Sequence, residues 1–229
     1  MLFLLLLLLV GACVSADVSA DHYVLATRWP QTVCEMYHGP CNIPANVSAF
    51  TVHGLWPDNY AGKDPAYCSG AGLNMTQLQP ILPSLLQLWP NFYADSTSES
   101  FWKHEWDKHG KCAVDTGDFP DEESYFSAAL SKVIRYNGFQ ILASFGIGPS
   151  QEPQKLNTIL QALNETLYYR FILSCQHQSD PDRFLLSQLE VCFDKSMDPI
   201  DCYIDDDHSY YHVNGCSKHA DVYYLPLQH

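Results

Sequence analysis

The sequence predicts a single α+β domain, a central antiparallel sheet packed by several helices and stapled by disulfides. Three observations lead there. Strand-like segments rich in Tyr, Val, Leu and Thr are separated by helical patterns without the regular alternation that builds a parallel sheet. No repeat, low-complexity linker or composition break divides the 229 residues. Eight of the nine Cys remain once a leader-like N-terminus is set aside, an even number that suits disulfides better than free thiols.

The elements follow in order. Residues 23–29 read as a strand stopped by Pro30, and residues 50–56 as a second strand stopped by Pro57. Strict alternation in the second would put Thr51, His53 and Leu55 on one face and Val52 and Trp56 on the other. Residues 78–89 carry a helical pattern disturbed by Pro80 and Pro83. Over 122–136 an apolar stripe of Tyr125, Phe126, Ala129, Leu130, Val133 and Ile134 predicts a helix closed by Asn137-Gly138. Another helix is expected over 156–167, with Leu156, Ile159, Leu160, Leu163 and Leu167 inward and Asn157, Gln161 and Asn164 outward. Residues 171–175, 184–193 and 222–225 read as later strands.

The N-terminus points to export. A Leu run reaches Leu9, and Val14-Ser15-Ala16 fits a small-residue cleavage pattern, so residues 1–16 read as a signal peptide and 17–229 as the mature domain. The stretch is shorter than the about 20 apolar residues of a membrane-spanning helix and is followed by Asp17. Sequons at Asn46, Asn74 and Asn164 suit a glycoprotein. The net charge of −14 counts against a generally nucleic-acid-binding surface at neutral pH. Protonating all ten His would bring −14 plus 10, or −4, so an acidic compartment relieves much of the repulsion toward a polyanion.

Chemistry concentrates in two segments. In a helix through Phe101 and Cys112, at 100° per residue, His104, Lys108, Phe101, Cys112, Glu105 and His109 fall on an arc of roughly 140°. Trp102 and Trp106 lie beyond His109 as anchors, and Lys103, Asp107 and Lys111 take the solvent side. A solvated charged face is the bland alternative. Zinc hydrolases use H-E-x-x-H, with His four apart; here His104 and His109 are five apart with Lys108 between them, which opposes a metal. The other segment holds His53, beside Gly54, which lets backbone or ligand approach closely. Trp56 and Asp58 offer a stacking surface and an acceptor, as needed to hold an unstacked base. His208 and His212, around Tyr210-Tyr211 after three Asp, read as a solvated loop, with metal binding the rarer alternative.

His53-Gly54-Leu55-Trp56-Pro57 and His104-Glu105-Trp106-Asp107-Lys108-His109-Gly110-Lys111-Cys112 match, at every fixed position, the two active-site segments H-G-L-W-P and H-E-x-x-K-H-G-x-C. On these the chain resembles the ribonuclease T2 family of acid, base-nonspecific endoribonucleases, secreted or lysosomal. The resemblance implies attack of the RNA 2′-hydroxyl on phosphorus, giving a 2′,3′-cyclic phosphate and then a 3′-phosphate. No cofactor or metal is needed and DNA, lacking the nucleophile, is not cut. It implies His53 and His109 as the acid–base pair, His104 on phosphate, and Glu105 and Lys108 supporting the transition state. From the residues alone Glu105 could orient His109 or act as a neutral donor when protonated. Trp56 and Asp58 would contact one base and Phe101 the other. The implied disulfides are Cys34–Cys41, Cys68–Cys112, Cys175–Cys216 and Cys192–Cys202. A monomer acting on single-stranded RNA is expected. The alternative is a non-catalytic secreted glycoprotein on the same scaffold, recognised by a partner.

Overall fold

The computed structural model describes residues 19–203, 211–217 and 221–229. The proposed leader, 1–16, and His208 lie outside them. In chain order the elements are β1 (His22–Arg28), α1 (Pro30–Met36), β2 (Thr51–Asp58), a 3₁₀ turn (Gln79–Ile81) running into α2 (Leu82–Leu88), and α3 (Ser98–Glu105). A π-helical turn (Trp106–Gly110) joins α3 to α4 (Lys111–Asp115), followed by α5 (Glu122–Arg135), α6 (Gly138–Ser144), β3 (Gln154–Lys155) and α7 (Leu156–Leu167). The rest is strand: β4 (Phe171–Ser179), β5 (Asp182–Phe193), β6 (Pro199–Ile200), β7 (Tyr211–Asn214) and β8 (Asp221–Tyr223).

One sheet runs β2-β1-β5-β4-β7, with β6 and β8 also on β5 and β3 on β8. The four long strands pair antiparallel, as expected. The sheet is nevertheless mixed, because β7 joins β4 and β8 joins β5 in parallel. The Cys175–Cys216 bridge holds β4 to the residue two beyond β7. All four disulfides form as the resemblance implies.

Local chemistry explains the element boundaries. Pro30 starts α1 where a missing N–H costs nothing. Pro57 does not stop β2 as the sequence suggested: β2 is an edge strand, and Pro57 sits opposite Tyr23 without interrupting the pairing. Pro80 and Pro83 occupy the first turns of the 3₁₀ segment and of α2, which splits the expected single helix. Asp121 and Ser124 cap α5 reciprocally. Its stripe is buried except for Ile134, which is exposed. Asn137 does not close α5. Its side chain accepts from the Phe139 N–H and starts α6, while its amide donates to the Phe50 carbonyl. The five expected residues of α7 are buried. With Tyr23, Val52, Leu55, Trp89, Trp102 and Trp106 these helices make the main core. Of the sequon residues, Asn46 and Asn74 are exposed and Asn164 half-buried. Among the described residues no helix is long and apolar enough to cross a membrane.

Candidate active site

The site forms where the edge strand β2 meets the helix running through α3, the π turn and α4. On β2 the predicted alternation fails at the residue that matters. Ala26 pairs with Gly54 and Thr27 with Val52, so His53 is the extra residue of a β-bulge. Val52 and Leu55 therefore both enter the core, and His53, released from alternation, meets Trp56 with ring centroids 5.2 Å apart. The His53 carbonyl accepts from the indole N–H of buried Trp89 at 3.1 Å.

The helix departs from the predicted arc for a related reason. Thr97 and Ser100 cap α3 reciprocally, and Trp102 donates to the Trp89 carbonyl at 2.7 Å. From Trp106 to Gly110 the helix is π-wound, with the Lys111 N–H bonded to the Trp106 carbonyl. The wider turn takes up more residues than an α-turn and brings groups five apart closer to one face than a uniform 100° rotation would. Glu105 and His109 are buried, His104 is exposed, and Phe101 and Lys108 are half-buried. Trp106 anchors the turn through the Ala71 carbonyl at 3.0 Å. Lys103 and Lys111 both pair with Asp107 on the outer side, although Lys111 is more buried there than expected. Cys112 is fully buried and bridged to Cys68, which fixes the helix end to the loop after β2.

Trp56 is the piece that joins the segments. Its ring lies 5.5 Å from that of His109, and its Nε1–H donates to Glu105 Oε2 at 3.0 Å. Gly54 makes room: a Cβ there would collide with both the Trp56 indole nitrogen and Glu105 Oε2. The close approach expected at Gly54 is thus an internal one. The Phe101 ring centre lies 6.3 Å from that of His53. Asp58 stands further along β2, paired with buried His22 at 3.3 Å and accepting from the Asn59 N–H at 2.8 Å.

Residues with no signal in the sequence complete the site. His53 Nδ1 lies 2.8 Å from Gln188 Oε1. The amide of Gln188 donates to Glu190 Oε1 at 2.6 Å, so its oxygen faces the imidazole and accepts from the Nδ1–H. Arg28, at the end of β1, lies across from Gln188 in the sheet register. The only hint was polar side chains at the ends or middles of otherwise apolar strands, and nothing in a strand's own sequence says which neighbour it will meet.

The electrostatics are those of a dry, cationic pocket. Burial drives Glu105 from 4.5 up to about 7, against the opposing effects of the Trp56 N–H, Arg28 and Lys108. His53 falls to about 4, through burial and then Arg28. His109 falls to about 3, through burial and then Lys108 and His104. In mild acid Glu105 is a neutral acid able to donate a hydrogen bond. Two imidazoles, a lysine and a protonated carboxyl near one another can move protons and stabilise an oxyanion.

The comparisons with known proteins agree with this geometry. The model of the ribonuclease T2 family matches residues 20–202. The chain belongs to the ribonuclease T2 family. It is 32% identical over 186 residues to ribonuclease Oy of Magallana gigas, covering 80% of this chain and 87% of that one. It is 31% identical over 217 residues to the ribonuclease T2 protein rnst-2 of Caenorhabditis elegans, covering 89% and 77%. Ribonuclease MC1 from bitter gourd seeds superposes with a TM-score of 0.74 at 26% identity, over 89% of this chain and 99% of that one. RNase NT, solved with 5′-AMP, gives 0.77 at 26%, over 91% and 100%. As a ribonuclease T2 the chain is a metal-independent endoribonuclease, secreted or lysosomal. It cleaves RNA by His-mediated attack of the 2′-hydroxyl, forming a 2′,3′-cyclic phosphate.

Proposed function

We propose that His53 and His109 are the acid–base pair of this cleavage. The observation that carries the reading is that both lie against the Trp56 ring, at centroid distances of 5.2 and 5.5 Å, although 56 positions separate them in sequence. One imidazole takes the 2′-hydroxyl proton and the other returns a proton to the departing 5′ oxygen. His104 and Lys108, the more exposed members, hold the scissile phosphate and offset the charge that gathers on its equatorial oxygens. Bound phosphate also raises the proton affinity of both histidines, so that one of them carries the proton the leaving group needs. Glu105, neutral in mild acid, donates to a phosphoryl oxygen while Trp56 holds its other oxygen. Phe101 borders one base, and Trp56 and Asp58 the other. The active form is a mature monomer, residues 17–229, carrying glycans on Asn46, Asn74 and Asn164.

Digestion of a mixed-sequence RNA oligomer at acidic pH, with the ends identified by mass, tests the reading. Cyclic phosphate and 3′-phosphate ends are expected, with no cleavage of the matching DNA. His53→Ala and His109→Ala should each cost about 10²–10⁴-fold in kcat. Robust cleavage by either variant removes that residue from the pair.

A further inference from the structure

Arg28 is an unusual group to find beside this site. Its side chain is almost wholly buried, and its guanidinium sits 4.5 Å from the Phe101 ring centre and 5.1 Å from that of Phe92. Its protein partner is the Pro90 carbonyl at 3.3 Å, its Nε is buried with no hydrogen-bond partner, and among the described residues it makes no ion pair. A buried cation without a carboxylate is costly to keep. Arg28 and His53 line one cavity of about 290 Å³ together with Gln188, Tyr37 and Tyr93. Phe101 lies near both, its ring under the guanidinium and its centre 6.3 Å from that of the imidazole.

We propose that Arg28 and Gln188, side by side across β1 and β5, are positioning residues for the cleavage that act through His53. Gln188 fixes its tautomer, and Arg28 supplies a permanent cation that opposes its imidazolium. This rests on the role of His53 given above and adds what controls it. The Nδ1–H bond to Gln188 leaves the lone pair of the neutral ring on Nε2, the nitrogen that handles the reaction's proton. Glu190, behind Gln188, keeps the amide from flipping. The charges facing His53 come from two sides. Arg28 contributes from β1, and Lys108 and His104 from the catalytic helix, all opposing a second proton on the ring. Glu105 and His109 belong to that helix as well, both neutral in mild acid, and Tyr37 and Tyr93 are neutral neighbours. Arg28 acts most strongly of the charges. It is fixed by two aromatic rings and stays charged, its own proton affinity reduced by burial only to about 10. In an acidic compartment it keeps His53 weakly basic and able to exchange its proton with substrate.

Imidazole ¹⁵N NMR across pH 3–8 tests this on the intact protein, without RNA. Wild-type His53 is expected to titrate well below free imidazole and, when neutral, to carry its proton on Nδ1. Arg28→Gln should raise the His53 titration by about one pH unit, a tenfold gain in proton affinity, whereas Arg28→Lys should stay near wild type. Gln188→Leu should mix the tautomers and lower kcat about tenfold or more, with KM little changed. An unmoved titration in Arg28→Gln, with altered base preference or with only a lower melting temperature, overturns the role of Arg28. So does an Arg28→Lys variant that shifts as far as Arg28→Gln. Wild-type His53 titrating at or above free imidazole overturns it even if no variant folds. The titration and tautomer readouts are separate from RNA cleavage, so loss of the acid–base reading through His53→Ala would appear independently.

Discussion

Replacing Glu105 by Gln removes one ionisation and almost no volume, and the Trp56 indole keeps an oxygen to donate to. The carboxyl is buried, and its proton is held up to about pH 7 instead of 4.5. At about 1.4 kcal/mol per pH unit, ionising it in the folded protein costs roughly 3 kcal/mol more than in the unfolded chain. Because the folded value is raised, this contribution to stability is fully present below pH 4.5 and is lost as pH rises through about 7. His53 and His109 act in the opposite sense. Their lowered values mean that stability present above pH 6.5 is lost as pH falls through about 4 and about 3. Those two contributions are common to wild type and variant and cancel between them. Urea unfolding with disulfides intact, at pH 4.5, 6 and 8, should therefore show Glu105→Gln gaining about 3 kcal/mol on the wild type from the lowest to the highest pH. Parallel stability curves would mean that Glu105 ionises normally, and would refute the dry-pocket account of the site.

Two further outcomes follow from the geometry. Gly54→Ala should push the Trp56 indole off Glu105, lowering stability by about 1–3 kcal/mol as overpacking does and reducing kcat, read by thermal unfolding and RNA cleavage; wild-type behaviour would show that β2 can retreat. Removing the Cys68–Cys112 bridge with a double Cys→Ser change should cost about 2–4 kcal/mol and loosen the catalytic helix, seen as faster amide exchange over 106–112; unchanged exchange would show that Trp102 and Trp106 hold the helix alone.

The sequence by itself determined what depends on local chemistry and on near neighbours. Periodic apolar residues delimited α7 and nearly all of α5, since a helix buries one face of its own residues. The mixed set on the catalytic helix, and the wrong spacing of its histidines for zinc, were legible for the same reason. The resemblance joined that helix to His53 before any coordinates did, and supplied the four bridges that close. Tertiary structure alone decided the rest. The bulge at His53 exists only in the pairing of β2 with β1, and the tolerance of Pro57 only in β2 lying at an edge. The parallel addition of β7 and β8 reflects contacts between distant segments. Arg28 and Gln188 do not stand out in the chain because their significance is their place beside His53, and a side chain's surroundings are set by what the fold puts around it.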